Sequence, residues 1–155
     1  PGSGPRHFTF HPSGRWAYLI TELANTVVVY RWSEGTLTEV QTVAALPADF
    51  TGASYGADIH FHPSGRFLYG TNRGHDSLAI FAADPATGLL TPLGHVPTGG
   101  AHPRNFVVTA DGQWLLCANQ DTDNIVVFRI ADEGARLERV SEFTGIAAPV
   151  CLLFA

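Results

Sequence analysis

One sentence of the chain is written three times. HPSGRWAYLITELANTVVVY fills 11–30, HFHPSGRFLYGTNRGHDSLAIF fills 60–81, and TADGQWLLCANQDTDNIVVF fills 109–128. Aligned on the turn glycines Gly14, Gly65 and Gly112, the copies are offset by 51 and 47 residues. A period of that size restricts a chain to repeat architectures, in which one supersecondary unit recurs and buries its apolar face on the next. Each unit splits into short alternating runs bounded by turn signals. The first holds HFTFHP, WAYLIT, TVVVYRW and TLTEVQTV; the second DIHFHP, FLYGTN, SLAIFAAD and LLTPLGHV; the third NFVVTA, WLLCAN, NIVVFRI and RLERVSEF. Four short strands joined by hairpins make one propeller blade. No stretch has a helical period. The expected fold is all-β: a propeller of four-stranded antiparallel blades over 5–48, 56–98 and 103–144 in a single partial domain, 1–155.

The C-terminal PVCLLFA aligns with PRHFTFH at Pro5–His11 and with PRNFVVT at Pro103–Thr109. It reads as an orphan inner strand, 149–155, belonging to a further blade. Propellers have four to eight blades. The sequence therefore reads as the C-terminal part of a longer ring, closed by N-terminal blades or by a second copy. Its opening, PGSGPRH, has no Met and does not read as a native start.

Composition narrows the partners. The chain is 45% apolar and 15% charged, enough for a real core, with a net charge of −5 and no Lys/Arg run. A nucleic-acid surface is not expected. No apolar run is long enough to form a transmembrane helix. Cys117 and Cys151 lie in apolar runs and read as buried free thiols, without zinc or disulfide spacing.

The repeated words are scaffold; the words that change mark the site. Eight positions before the turn glycine stand Arg6, Ala57 and Arg104, and seven before it His7, Asp58 and Asn105. Eight positions after it stand Glu22, Arg73 and Gln120. In an antiparallel pair, the start of the first strand lies beside the end of the second. All nine therefore fall at one rim, at the mouth of the channel lined by the first strands. Two arginines facing a channel need an anion or a carboxylate beside them. Arg6 with Glu22 also reads as a structural ion pair. NRGHDS adds His75 beyond Arg73, and His60 alternates with Phe61 on its strand. His11 and His62 belong to the HPSG turn at the opposite end. There is no G-x-S-x-G elbow, Walker loop or metal spacing.

Through GPRHFTFHPSGRWAYLITEL, GADIHFHPSGRFLYGTNRGHDSLAIF, PRNF and ANQDTDNIVVF the chain strongly resembles the seven-bladed propeller lactonase family. That family includes the propeller-type 6-phosphogluconolactonases and the 3-carboxy-cis,cis-muconate lactonising enzymes. The resemblance covers essentially all of the chain, matched to the C-terminal part of a protein about twice as long. It implies that Arg6, Glu22 and Arg73 occupy the places of the muconate branch's proposed active-site groups, with a further histidine on a preceding blade. It also implies a cytoplasmic enzyme whose site this chain holds incompletely.

The residues can support lactone hydrolysis, plausible for 6-phosphogluconolactone. Glu22 or His7 would take a proton from water. Arg6 and Arg73 would stabilise the oxyanion or hold a substrate anion. Asp58, His60, His75, Arg104, Asn105 and Gln120 would complete the pocket. The arginines would also depress Glu22 and weaken it as a base. The scheme needs no cofactor and no metal. A cycloisomerase of a carboxylated muconate needs the same groups. A non-catalytic binding scaffold would instead present aromatic or apolar rim patches.

Overall fold

Alternation of period two gives every unit two apolar faces, and the strands stack those faces against each other. A computed structural model describes residues 2–154. The first sheet has the order β1 (Pro5–Phe10), β2 (Trp16–Thr21), β3 (Thr26–Ser33), β4 (Thr36–Ala44). The second runs β5 (Tyr55–Phe61), β6 (Phe67–Arg73), β7 (Ser77–Ala83), β8 (Leu90–Pro97). The third runs β9 (Pro103–Val108), β10 (Trp114–Asn119), β11 (Asn124–Ala131), β12 (Arg136–Thr144). All neighbouring pairs are antiparallel. The fold is a partial β-propeller of three blades. The only helical turns among the described residues are two short 3₁₀ turns, Gln120–Thr122 and Asp132–Gly134.

The first hairpin of each blade is closed by the same bond. Gly14, Gly65 and Gly112 donate to the carbonyls of His11, His62 and Thr109 at 2.8, 2.9 and 2.8 Å. Their φ angles are 70°, 72° and 71°, a left-handed turn that glycine enters without steric cost.

Alternation then divides the residues of the middle blade between two cores. Leu68, Ala79 and Phe81 pack with Tyr18, Ile20 and Val29 of the first blade. Tyr69, Leu78 and Ile80 turn the other way, onto Phe106, Cys117 and Phe128 of the third. Polar staples repeat with the blades. Tyr18 Oη donates to Gly88 O and Tyr69 Oη to Gly134 O, both at 2.8 Å. The same glycines lie against Trp16 and Phe67, leaving no room for a Cβ. His11 Nε2 bonds Gly65 O at 2.9 Å, and His62 Nε2 bonds Gly112 O at 3.0 Å.

The segment expected to be an inner strand has no sheet partner among the described residues: 149–154 is not in a strand, and Ala155 lies outside the description. One contact joins it to the third blade. Leu152 N donates to Asn105 Oδ1 at 2.6 Å, as Phe106 N does to Asp58 Oδ2 at 3.2 Å one blade earlier. Cys117 is buried as expected, whereas Cys151 is exposed.

Tyr69→Phe in the intact protein should lower the unfolding free energy by about 1–3 kcal/mol, since it leaves the Gly134 carbonyl buried and unpaired. Tyr30→Phe, at a half-buried ring outside these staples, should cost less than about 0.5 kcal/mol. Urea unfolding of both variants measures the difference.

Candidate active site

The rim is shaped by a bulge that recurs in every blade. Strand register slips between Pro5 and His7, between Gly56 and Ile59, and between Ala118 and Asn119 opposite Asn105 and Pro103. The residues caught in these slips are Arg6, the pair Ala57–Asp58, and Arg104. A β-bulge bends its strand and re-aims a side chain, and such bulges concentrate beside functional sites.

Arg6, on the first of them, is drawn across to the second blade. Its Nη1 donates to Ala57 O at 2.6 Å, and its Nε lies 3.9 Å from Glu22 Oε2. Arg73 closes the other side. Its Nη2 donates to Glu22 Oε1 at 2.7 Å and to Gly56 O at 3.2 Å, with the guanidinium over the Tyr55 ring. Glu22 thus stands between two guanidinium groups. The hydrogen bond from Arg73, then the charges of Arg73, Arg6 and Arg104, hold its carboxyl below the usual range against a smaller opposing effect of burial. Burial, then Arg73 and Arg104, push Arg6 down. Arg104 therefore sits in the field of this cluster, yet it makes no hydrogen bond or ion pair among the described residues. Arg73 is almost fully buried, and its Nε has no partner.

A second constellation hangs on Asp58, whose carboxylate is buried and accepts from five donors. Oδ1 receives His7 Nδ1 at 2.6 Å and Ile59 N at 2.9 Å. Oδ2 receives His60 Nε2 at 3.1 Å, Asn105 Nδ2 at 2.5 Å and Phe106 N at 3.2 Å. Burial opposes the charge, but the bonds from His60, His7 and Phe106 outweigh it and hold the carboxyl far below its ordinary range. The two constellations meet at His7, whose Nε2 lies 3.1 Å from Arg6 Nη1. A guanidinium only donates, so Nε2 accepts and His7 carries its proton on Nδ1, toward Asp58.

The structure brings together Arg6, His7, Glu22, Asp58, His60, Arg73 and Asn105 through direct contacts, with Arg104 beside them. Three expectations change. Asp58 was expected to touch substrate; it is buried and fully engaged by protein donors, so it acts on its neighbours instead. His75 was expected at the rim. Gly74, at φ 94°, turns the chain there, and the imidazole packs against Phe50 and against His95 of the outer strand β8, with Nδ1 on Ser77 Oγ at 2.7 Å. Gln120 contributes no hydrogen bond to the cluster, and its Oε1 is buried and unpaired. Tyr55, the platform beneath Arg73, was missed; an aromatic one residue before the bulge carried no signal of that role. Among the described residues no group of three or more His, Cys, Asp or Glu could hold a metal, and no helix is long and apolar enough to cross a membrane.

The depressed Asp58 carboxyl ties stability to acid. Its contribution is fully present above the unfolded value of about 3.9 and is lost as pH falls toward the lower folded value. Asp58→Asn should therefore flatten the fall in stability between about pH 4 and pH 2. Unfolding free energies of both proteins across that range check it; parallel curves would overturn it.

With this geometry in view, the chain can be set beside known proteins. The family described as "Lactonase, 7-bladed beta-propeller" matches residues 1–154. A Bacillus subtilis protein named 6-phosphogluconolactonase is 41% identical over 99% of this chain and 45% of its own length. A Pseudomonas aeruginosa structure described as a periplasmic gluconolactonase superposes with a TM-score of 0.90 at 36% identity, covering 96% of this chain and 42% of that one. A crystal structure from Bacteroides fragilis gives a TM-score of 0.92 at 41% identity, covering 100% of this chain and 43% of its own. The chain thus spans less than half the length of the relatives it matches, and over that span it belongs to the seven-bladed β-propeller lactonase family.

Proposed function

We propose that the protein hydrolyses an anionic sugar-acid lactone, and that 6-phosphogluconolactone is its substrate. The observation that carries this reading is the charge balance of the rim: Arg6, Arg73 and Arg104 face two carboxylates, Glu22 and Asp58, and of the three only Arg104 makes no hydrogen bond or ion pair among the described residues. Glu22 aligns the first two, and Arg104 is left to meet an anion from solution. Lactone hydrolysis makes an oxyanion at the carbonyl carbon, and preorganised guanidinium donors stabilise it where it develops. In this reading Arg6 and Arg73 face that oxyanion, Glu22 and His7 hold Arg6 in place, and Arg104 receives the distal phosphate. The name of the Bacillus subtilis relative supports hydrolysis over the cycloisomerase chemistry that the same residues could serve.

Further blades close the ring, from a longer chain or a second copy. The Leu152 bond to Asn105 supports this, because it repeats the bond from Phe106 to Asp58 one blade earlier. So does the fact that the chain covers 45% of the Bacillus subtilis relative. A cytoplasmic location goes with the same reading, since a phosphorylated substrate does not cross bilayer hydrocarbon unaided.

Arg104→Ala in the intact protein tests the assignment. It should raise KM for 6-phosphogluconolactone by about tenfold or more, the effect of losing roughly 1.4 kcal/mol of charge-assisted binding. Turnover of uncharged gluconolactone should barely change. Equal effects on both lactones would remove Arg104 from the phosphate site; no turnover of either by the unaltered protein would overturn the function.

A further inference from the structure

Hydrolysis needs a group that takes a proton from water, and the three candidates at the rim are not equivalent. Glu22 is committed to Arg73 at 2.7 Å, and its depressed carboxyl makes it a poor base. His7 has both ring nitrogens engaged, Nδ1 by Asp58 and Nε2 by Arg6. His60 differs from both. Its Nε2 donates to Asp58 Oδ2 at 3.1 Å, while its Nδ1 makes no hydrogen bond among the described residues. The side chain is 42% exposed, against 2% for Asp58, so the ring opens to solvent while its anchor does not. Its ring packs at a near-right angle against that of Phe106, at a centroid distance of 4.9 Å, which limits rotation. His60 also lines a hollow of ≈ 330 Å³ together with Thr9, Phe61, Val107 and Leu153.

We infer that His60 is the general base of the reaction and that Asp58 is its positioning residue. A buried carboxylate on one imidazole nitrogen fixes the tautomer, leaves a lone pair on the other, and stabilises the imidazolium that forms. The step balances without a co-reactant. His60 Nδ1 takes a proton from water as the water oxygen bonds to the lactone carbonyl carbon. The carbonyl π pair becomes the oxyanion. As the intermediate collapses, the ring C–O bond breaks, and the imidazolium returns its proton to the departing ring oxygen. The product is a hydroxy acid, which then ionises.

This inference rests on the hydrolase reading, and the experiment separates the two. Steady-state kinetics on 6-phosphogluconolactone are measured for the intact protein, for His60→Gln, and for His60→Gly with and without added imidazole. The expected result for His60→Gln is a fall in kcat of about 10²–10⁴-fold with KM nearly unchanged and melting temperature preserved. Imidazole should restore turnover to His60→Gly, with His60→Ala taking its place if the glycine variant does not fold. Asp58→Asn should lower kcat and shift the acid limb of the kcat profile. A rise in KM with kcat unchanged would make His60 a binding residue and overturn the inference. Unaltered kcat, or a kcat loss in a folded variant that imidazole does not repair, would overturn it too. An unaltered protein that leaves the lactone intact would sink the hydrolase reading itself, before any variant is compared.

Discussion

The Asp58 carboxylate is the point on which the inner ends of three blades converge. Donors come from His7 on β1, from Ile59 and His60 on β5, and from Asn105 and Phe106 on β9. A buried charge is tolerable only when its lone pairs are met, and here they are met from three sheets at once. The cost of removing any one partner falls on a group that cannot turn to water, so the interaction fixes the relative position of the inner strands more sharply than apolar packing alone. It also explains the bulge at Ala57–Asp58. Without the slipped register, the pleat would aim the side chain differently and the carboxylate could not lie between its neighbours.

Away from the rim the blades are joined by bonds that copy themselves. Tyr18 and Tyr69 reach a glycine carbonyl in the next blade's outer hairpin; His11 and His62 reach the next blade's first turn. The third blade has Leu116 and Thr109 in the corresponding places, so neither staple can be made forward from it. What it keeps is Asn105, which holds Leu152 by the bond that Asp58 makes to Phe106. The junction that remains is the one nearest the site. The period therefore governs the scaffold, and among the described residues both staples join the first blade to the second and the second to the third.

Much of this was open to a reader of the sequence, for a physical reason. Alternation of period two, glycines at left-handed turns and a 51-residue repeat are local properties, and they specify blades without knowledge of neighbours. The variable positions at strand ends led to Arg6, Glu22, Arg73 and Asp58 for the same reason. The bulges were not legible. They are register slips at the strand ends, and the contact that one of them serves, Arg6 to Ala57 O, spans 51 positions. Whether Asp58 faces substrate or is buried depends on five donors from three strands. His75 was misplaced because its direction is set by the turn at Gly74 and the neighbouring rings of Phe50 and His95, none of which the strand pattern encodes.

One carboxylate also gives two histidines different work. His7 is bonded through Nδ1, which turns Nε2 toward the Arg6 guanidinium and completes a run of alternating partners: Asp58, His7, Arg6, Glu22, Arg73. His60 is bonded through Nε2, which leaves Nδ1 without a hydrogen bond among the described residues. The difference comes from the strands that carry them, since His7 approaches from the neighbouring blade and His60 from the same strand as Asp58. On the proposed reading the base lies on the second blade and Arg6 on the first, so the distance from a bound water to an oxyanion held by Arg6 is an inter-blade distance. A misplacement of about 1 Å in such a geometry can cost about 100-fold in rate. Tyr18 and His11 tie the same two blades together away from the rim, so on the proposed reading their loss would alter that distance.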